Sequence, residues 1–270
     1  EWGTLLMGPI NPIGLISLIG KMRNLSIGIV GLPNVGKSTL FKLLTKIEVN
    51  IANYPFATID PNVGVVSVPD ERLGVLSRLS RSQKTIPAVV EFYDIAGLVK
   101  GAYLGEGLGN QFLSHIREVN AIVHLVRCFP SEEIIHIEKT VDPLRDIDII
   151  NTELIFKDLE IVEKRLARTE TEAKSGNKEK VRELEILQKI KEGLDRGQLA
   201  FQLPLEKPEG LNLLTDKLQI YLLNGKEEDA SEKLKTKIKS LGASYIAADL
   251  SRVEDLNGLV KESYRIVKLI

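Results

Sequence analysis

The segment that most constrains this chain runs Gly31-Leu32-Pro33-Asn34-Val35-Gly36-Lys37-Ser38, which fits the pattern G-x-x-x-x-G-K-[ST]. It follows the apolar run LSIGIVG and opens the amphipathic run TLFKLLTKI. A glycine loop between a strand and a helix lets backbone N–H groups converge on phosphate oxygens, and the helix N-terminus adds the positive end of its dipole. Asn34, Val35, Gly36, Lys37, Ser38 and Thr39 are the expected nucleotide contacts. Lys37 is placed to reach the β- and γ-phosphates, and the Ser38 hydroxyl to bind Mg2+. A glycine turn without a ligand accounts for the glycines and leaves the lysine unexplained.

Further along the chain, GVVSV, VVEFYDI, AIVHLVRCF, QIYLLN and ASYIAADL are apolar and rich in β-branched residues. Strands that alternate with helical segments predict an α/β fold, a mostly parallel sheet flanked by helices. A different segment interrupts the series. Asp142-Pro143 is a strong helix start, with aspartate as N-cap and proline in the first turn. Ile155, Leu159, Val162 and Leu166 then recur at coiled-coil spacing. Ser175-Gly176-Asn177 breaks the pattern, and Val181, Leu184, Ile190 and Leu194 resume it. Two seamed helices joined by a short turn predict an inserted α-helical coiled-coil hairpin that projects from the sheet; two surface helices lying on the sheet are the plainer alternative. The expected organisation is a sheet domain over 22–137 and 203–270, with the insertion at 138–202.

The ends differ from the rest. Residues 1–21 are apolar but interrupted by Pro9, Pro12 and Gly14. They lack the run of ~20 apolar residues that a membrane span needs. We read them as an extension or leader before a start at Met22. The other end stops inside an amphipathic helical pattern, GLVKESYRIVKLI, without a stop signal.

Composition narrows the partners. Thirty-six basic residues against 37 acidic ones leave a net charge of −1, which argues against a polybasic membrane or nucleic-acid binder. No membrane and no specific DNA partner is expected. The single cysteine, Cys128, cannot form an internal disulfide and suits a reducing, cytoplasmic setting. With three histidines in all, a transition-metal centre would have to lean on carboxylates.

A second constellation lies 57 residues after Lys37, where Asp94-Ile95-Ala96-Gly97 ends the VVEFYDI run. A strand-end aspartate can join the magnesium shell, and the Gly97 N–H can sense a γ-phosphate. The glycine-rich stretch that follows, GLVKGAYLGEGLGNQF, is suited to switching between conformations. Upstream, Thr58 in NYPFAT is a candidate to complete the Mg2+ shell.

GLPNVGKST, NYPFATIDPNVGVVSVPDERL, DIAGLVKGA with GEGLGNQFLSHIREVNAIVHLVRCF, and VDPLRDIDIINTELIFKDLE together resemble the YchF-type, Obg-like ATPases over Met22 to about Leu223. The resemblance implies a P-loop NTPase G domain with a coiled-coil insertion. It also implies a translation-factor class that binds ribosomes, and a C-terminal TGS domain that would begin about where this chain stops.

Hydrolysis needs a device other than the usual one. A Ras-like switch orients water with a glutamine after D-x-x-G. Here that position is Leu98, a replacement the resemblance implies is typical. Asn34 either holds a monovalent cation such as K+ against the phosphates or braces its own loop. His124, on the AIVHLVRCF strand, either contacts the active site or packs in the core; His115 and His136 are weaker candidates.

Base choice is read from Asn224-Gly225-Lys226-Glu227, where a guanine-specific enzyme carries N-K-x-D. The lysine position is Gly225, and Glu227 is one methylene too long for the guanine fork. Ala247-Ala248 falls near the base edge, with Ala248 the candidate contact. The resemblance links N-x-x-E to ATP, so ATP is expected to bind at least as tightly as GTP. The expected function is a ribosome-associated nucleotide switch that hydrolyses ATP. The alternatives are an Obg-like GTPase, a P-loop phosphotransferase (disfavoured because no arginine-rich lid is evident) and a non-catalytic nucleotide-binding scaffold.

Overall fold

A computed structural model describes residues 25–46, 63–94, 116–131, 133–252 and 256–268. Among the described residues six strands form one sheet: β1 (Leu25–Val30), β2 (Val63–Ser67), β3 (Val89–Asp94), β4 (Ala121–Arg127), β5 (Leu218–Asn224) and β6 (Ser244–Ala248). Their order is β2-β3-β1-β4-β5-β6. Only β2 runs antiparallel, against β3; the other pairings are parallel. These are the six apolar runs of the sequence. Burial on both faces is why β4 is buried at every position.

The helices are α1 (Lys37–Lys46), α2 (Glu71–Ser80), α3 (Pro143–Ala173), α4 (Lys178–Asp195), α5 (Glu232–Ser240) and α6 (Leu256–Lys268). Strand alternation sorts the core. Ile220 and Leu222 pack with Leu256, Leu259 and Val260 of α6, while Tyr221 and Leu223 pack with Ile147 of α3 and Leu234 and Ile238 of α5.

Asp142 caps α3, accepting a hydrogen bond from the Arg145 N–H, with Pro143 in the first turn. The helix then serves two cores. Its first turns bury Ile147, Ile150 and Leu154 against the sheet domain. Beyond them, Ile155, Val162 and Leu166 pack with Leu187, Ile190 and Leu194 of α4 in a separate cluster. Val181, assigned to that seam by its spacing, is 40% exposed, and Leu187 is fully buried instead. Val181 lies in the first turn of α4, beside the connecting bend, where the facing helix is rich in Thr and Glu. The hairpin core also recruits Leu199, Leu203, Leu211 and Leu213 from the returning chain.

One buried carboxylate fastens that return. Asp158 accepts hydrogen bonds from the Leu214 N–H (2.8 Å), the Thr215 N–H (2.7 Å) and the Thr215 hydroxyl (2.6 Å). Three donors satisfy a carboxylate that would otherwise be costly to bury. Even so, burial pushes its pKa up to about 6.

Candidate nucleotide-binding site

The site lies at the C-terminal ends of β1, β3, β5 and β6, the usual ligand crevice of an open parallel sheet. The loop leaving β1 is shaped by two close approaches. A Cβ on Gly31 would sit 2.5 Å from the Leu125 carbonyl oxygen, and one on Gly36 would sit 2.8 Å from the Asn224 amide nitrogen. Gly36 also has φ +108°, a region that side chains rarely adopt. At the loop's exposed bend Asn34 is left-handed, with φ 61°. Its side-chain amide donates to the Ile135 carbonyl oxygen at 3.1 Å. That bond ties the phosphate loop to the segment between β4 and α3.

Lys37 is buried, and its ammonium donates to the Gly31 and Leu32 carbonyl oxygens at 3.0 and 2.8 Å. Burial lowers its pKa to about 8, opposed by the Asp94 carboxylate. Asp94, at the end of β3, is raised by burial and lowered by Lys37. The parallel register of Ile29 with Asp94 brings this carboxylate to the strand that launches the phosphate loop. Ser38 and Thr39 are exposed in the first turn of α1. An exposed hydroxyl and a half-buried carboxylate flanking Lys37 are hard oxygen donors, the kind Mg2+ takes together with phosphate oxygens and water, so the pair fits the ion. Thr58, Gly97, Leu98 and His115 lie outside the described residues.

The residues expected on the base side lie at the end of β5. Asn224 is buried; its amide donates to the Val35 carbonyl oxygen at 2.8 Å, and its own oxygen accepts from the Leu250 N–H at 3.4 Å. The register Asn224↔Ala248 and the bond from the Gly225 N–H to the Ala248 carbonyl (3.2 Å) join the two strand ends. Beyond them opens a cavity of about 470 Å³, lined by Gly225, Lys226, Glu227, Ala247, Ala248 and Arg252 among others. Glu227 begins a single 3-10 turn, Glu227–Asp229.

His124 is placed elsewhere. Its ring is buried 4.9 Å from that of Tyr221, on the sheet face that α3 and α5 cover. Its Nδ1 has no hydrogen-bond partner among the described residues, and burial drops its pKa to about 3. Strand alternation turns this side chain into the packing between the sheet and its helices, the packed-core alternative for this residue. Cys128 is likewise buried, its thiol pushed up to about 12 by burial and by nearby Asp229 and Asp146.

Sequence reasoning missed the residues that hold the loops. Arg127, fully buried at the end of β4, donates to the Phe129, Ile134 and Ser131 carbonyl oxygens. It thereby shapes the loop whose Ile135 meets Asn34. His136 of that loop pairs with Asp146 in the first turns of α3 at 2.9 Å. A charged residue ending an apolar strand was the only signal for Arg127.

The parallel sheet, the phosphate loop and the carboxylate-ended β3 define a P-loop NTPase of the G-domain class. The family model described as 50S ribosome-binding GTPase matches residues 26–158. The chain is 50% identical to the ribosome-binding ATPase YchF of Bacillus subtilis, with 77% of this chain and 58% of the relative aligned. It is 41% identical to the protein of that name from Haemophilus ducreyi, with 90% of this chain and 76% of the relative aligned. The solved structure of the Schizosaccharomyces pombe YchF GTPase superposes with TM-score 0.69 at 40% identity, covering 91% of this chain and 71% of that one. The chain belongs to the YchF family. It spans a little over half the length of some of these relatives, 58% of the Bacillus protein.

Proposed function

We propose that this chain is the nucleotide-binding part of a ribosome-associated, Mg2+-dependent ATPase that acts as a switch, hydrolysing ATP to ADP and phosphate, with GTP as a secondary substrate. The observation that carries the reading is the buried Lys37 between Ser38 and Asp94, in a phosphate loop tied by Asn224 to a base-sized cavity. Relatives named as ribosome-binding ATPases support the ribosome as partner and a cytoplasmic location.

Lys37 leaves the loop carbonyls and pairs with the β- and γ-phosphates. The backbone N–H groups of Val35, Gly36, Ser38 and Thr39 line the phosphates, with the α1 dipole behind them. Ser38 and Asp94, together with Thr58, would hold Mg2+, and Gly97 would sense the γ-phosphate. When bound, the ion supplies charge neutralisation on the phosphate oxygens. The Asn34 amide oxygen would help hold a K+ ion, whose charge would be supplied to the phosphates in an enzyme with Leu98 at the switch-glutamine position. At the base, Gly225, Ala247 and Ala248 would form the walls, with Glu227 on the polar edge and Asn224 holding the end of β5 against the phosphate loop. Among the described residues no helix is long and apolar enough to cross a membrane.

Parallel titration with ATP and GTP, in potassium and in sodium at matched ionic strength, tests this reading. ATP should bind at least as tightly as GTP, and turnover should be faster in potassium. GTP bound more than tenfold tighter would move the chain to the Obg-like GTPases. Nucleotide binding without turnover would make it a scaffold.

A further inference from the structure

Arg127 ends β4 with no exposed surface. Its Nε donates to the Phe129 carbonyl at 3.1 Å, Nη1 to the Ile134 carbonyl at 2.9 Å and Nη2 to the Ser131 carbonyl at 3.3 Å. The face of the guanidinium lies 4.7 Å from the centroid of the Phe129 ring. One planar fork thus gathers three carbonyls of a single loop, which an ammonium, a point charge on a flexible stem, does less well. The Ile134 carbonyl that it holds is one peptide from the Ile135 carbonyl, and the latter accepts the Asn34 amide at 3.1 Å. The two ends of this relay are unequal. Arg127 is buried, whereas Asn34 is exposed and Ile135 is 78% exposed. An exposed hydrogen bond competes with water and endures where its acceptor is already held in place. The buried guanidinium does the holding.

We propose that Arg127 is a positioning residue for the phosphate loop: through Ile134 and Ile135 it sets the Asn34 side chain, and with it the bend that leads into Val35, Gly36 and Lys37. A carbonyl can only accept, so it takes the amino group of Asn34 and fixes which way that amide is turned. The bend needs the support, because Asn34 has φ 61°, an uncommon conformation for a residue with a side chain. Its neighbour is gripped as well, since Asn224 donates to the Val35 carbonyl at 2.8 Å. The ties within the loop come from Lys37, to the Gly31 and Leu32 carbonyls. Those are given up when the ammonium turns to phosphate, and the loop's shape then depends on Asn224 and on the relay from Arg127. His136, the residue after Ile135, is anchored by its side chain on Asp146 at 2.9 Å. A side-chain anchor leaves the peptide plane free to turn, whereas Arg127 grips the backbone itself. The inference rests on the phosphate loop binding a triphosphate, as proposed above.

The test is a double-mutant cycle on the whole chain, with Kd for ATP in the presence of Mg2+ as the readout and Tm measured alongside. Arg127→Lys and Asn34→Ala should each weaken ATP binding by about three- to tenfold, the worth of one hydrogen bond. In the Asn34→Ala background, Arg127→Lys should cost no more than about a further twofold, because the relay already lacks its last member. A residue that serves stability alone would lower Tm without this dependence on Asn34. Unchanged ATP affinity in a folded Arg127→Lys would overturn the proposal, and so would losses that multiply in the double variant. Arg127→Gln serves as the second variant, with the same expectation, if the lysine variant does not fold. Failure of the wild type to bind ATP would defeat the phosphate-loop reading itself, before any variant is compared.

Discussion

The side-chain amide of Asn224 donates to the carbonyl oxygen of Val35 at 2.8 Å, across 189 residues of sequence. The end of β5 thereby fixes the phosphate loop, and Gly36 exists as glycine partly to admit that amide. Asn224→Ala leaves the Val35 carbonyl and the Leu250 N–H without this partner. Losing a buried partner costs about 1–3 kcal/mol. A drop in Tm of several degrees, with weakened binding of both ATP and GTP, is the expected result. An unchanged Tm and unchanged affinities would show that the loop holds its shape unaided.

Lys37 gives a pH dependence with a definite sign. Its pKa in the free protein is lowered to about 8 by burial, so its charge is lost as pH rises through that value. A triphosphate favours the charged form, so binding takes up a proton near pH 8. ATP affinity should be flat below about pH 7 and fall above pH 8, and calorimetry in buffers of different ionisation enthalpy should show the uptake. Affinity that does not change between pH 7 and 9 would contradict the burial of this ammonium.

His124 should matter for stability and little for turnover. Its pKa of about 3 lies well below the ~6.5 of an unfolded histidine, so between these values the unfolded state binds the extra proton. Stability from this residue is full above pH 6.5 and is lost as pH falls towards 3. Asp158, raised to about 6, works in the opposite direction between about 4 and 6, so the variant must be compared with the wild type at each pH. His124→Phe should flatten the loss of stability between pH 6.5 and 4 and leave hydrolysis within a few-fold. A hundred-fold loss of turnover with Tm preserved would restore His124 to the chemistry.

The hairpin should be separable only beyond its root. Ile147, Ile150 and Leu154 belong to the sheet domain's packing, whereas Leu166 and Leu187 pack within the hairpin. Replacing 167–182 with a short Gly/Ser turn should leave ATP affinity within a few-fold and impair co-sedimentation with ribosomes. Undiminished co-sedimentation would place the ribosome contact elsewhere.

What was legible in the sequence was what is local in the chain. Lys37 and Ser38 sit within one motif, Asp94 ends an apolar run, and the Asp142-Pro143 start of α3 is written in two residues. The six strands were legible because β-branched runs between breakers have few other ways to be buried. What escaped depends on contacts between distant segments. Nothing near Asn34 announces the Ile135 carbonyl, and nothing near Asn224 announces the Val35 carbonyl. His124 was ambiguous because alternation along a strand buried on both faces does not say which face meets the ligand. Val181 was misassigned because seam spacing carries no information about where a hairpin's tip runs out of partners.

If Lys37 serves a nucleoside triphosphate, its removal must show in steady-state ATP hydrolysis by the wild type and Lys37→Ala, with Mg2+ and K+ present and Tm followed in parallel. Loss of a charged hydrogen bond is worth about 1.5–3 kcal/mol, so triphosphate affinity should fall roughly ten- to a hundred-fold. Slow ATP turnover is expected of the wild type, and none above background of a folded Lys37→Ala. Equal turnover by the two proteins would contradict that role for Lys37.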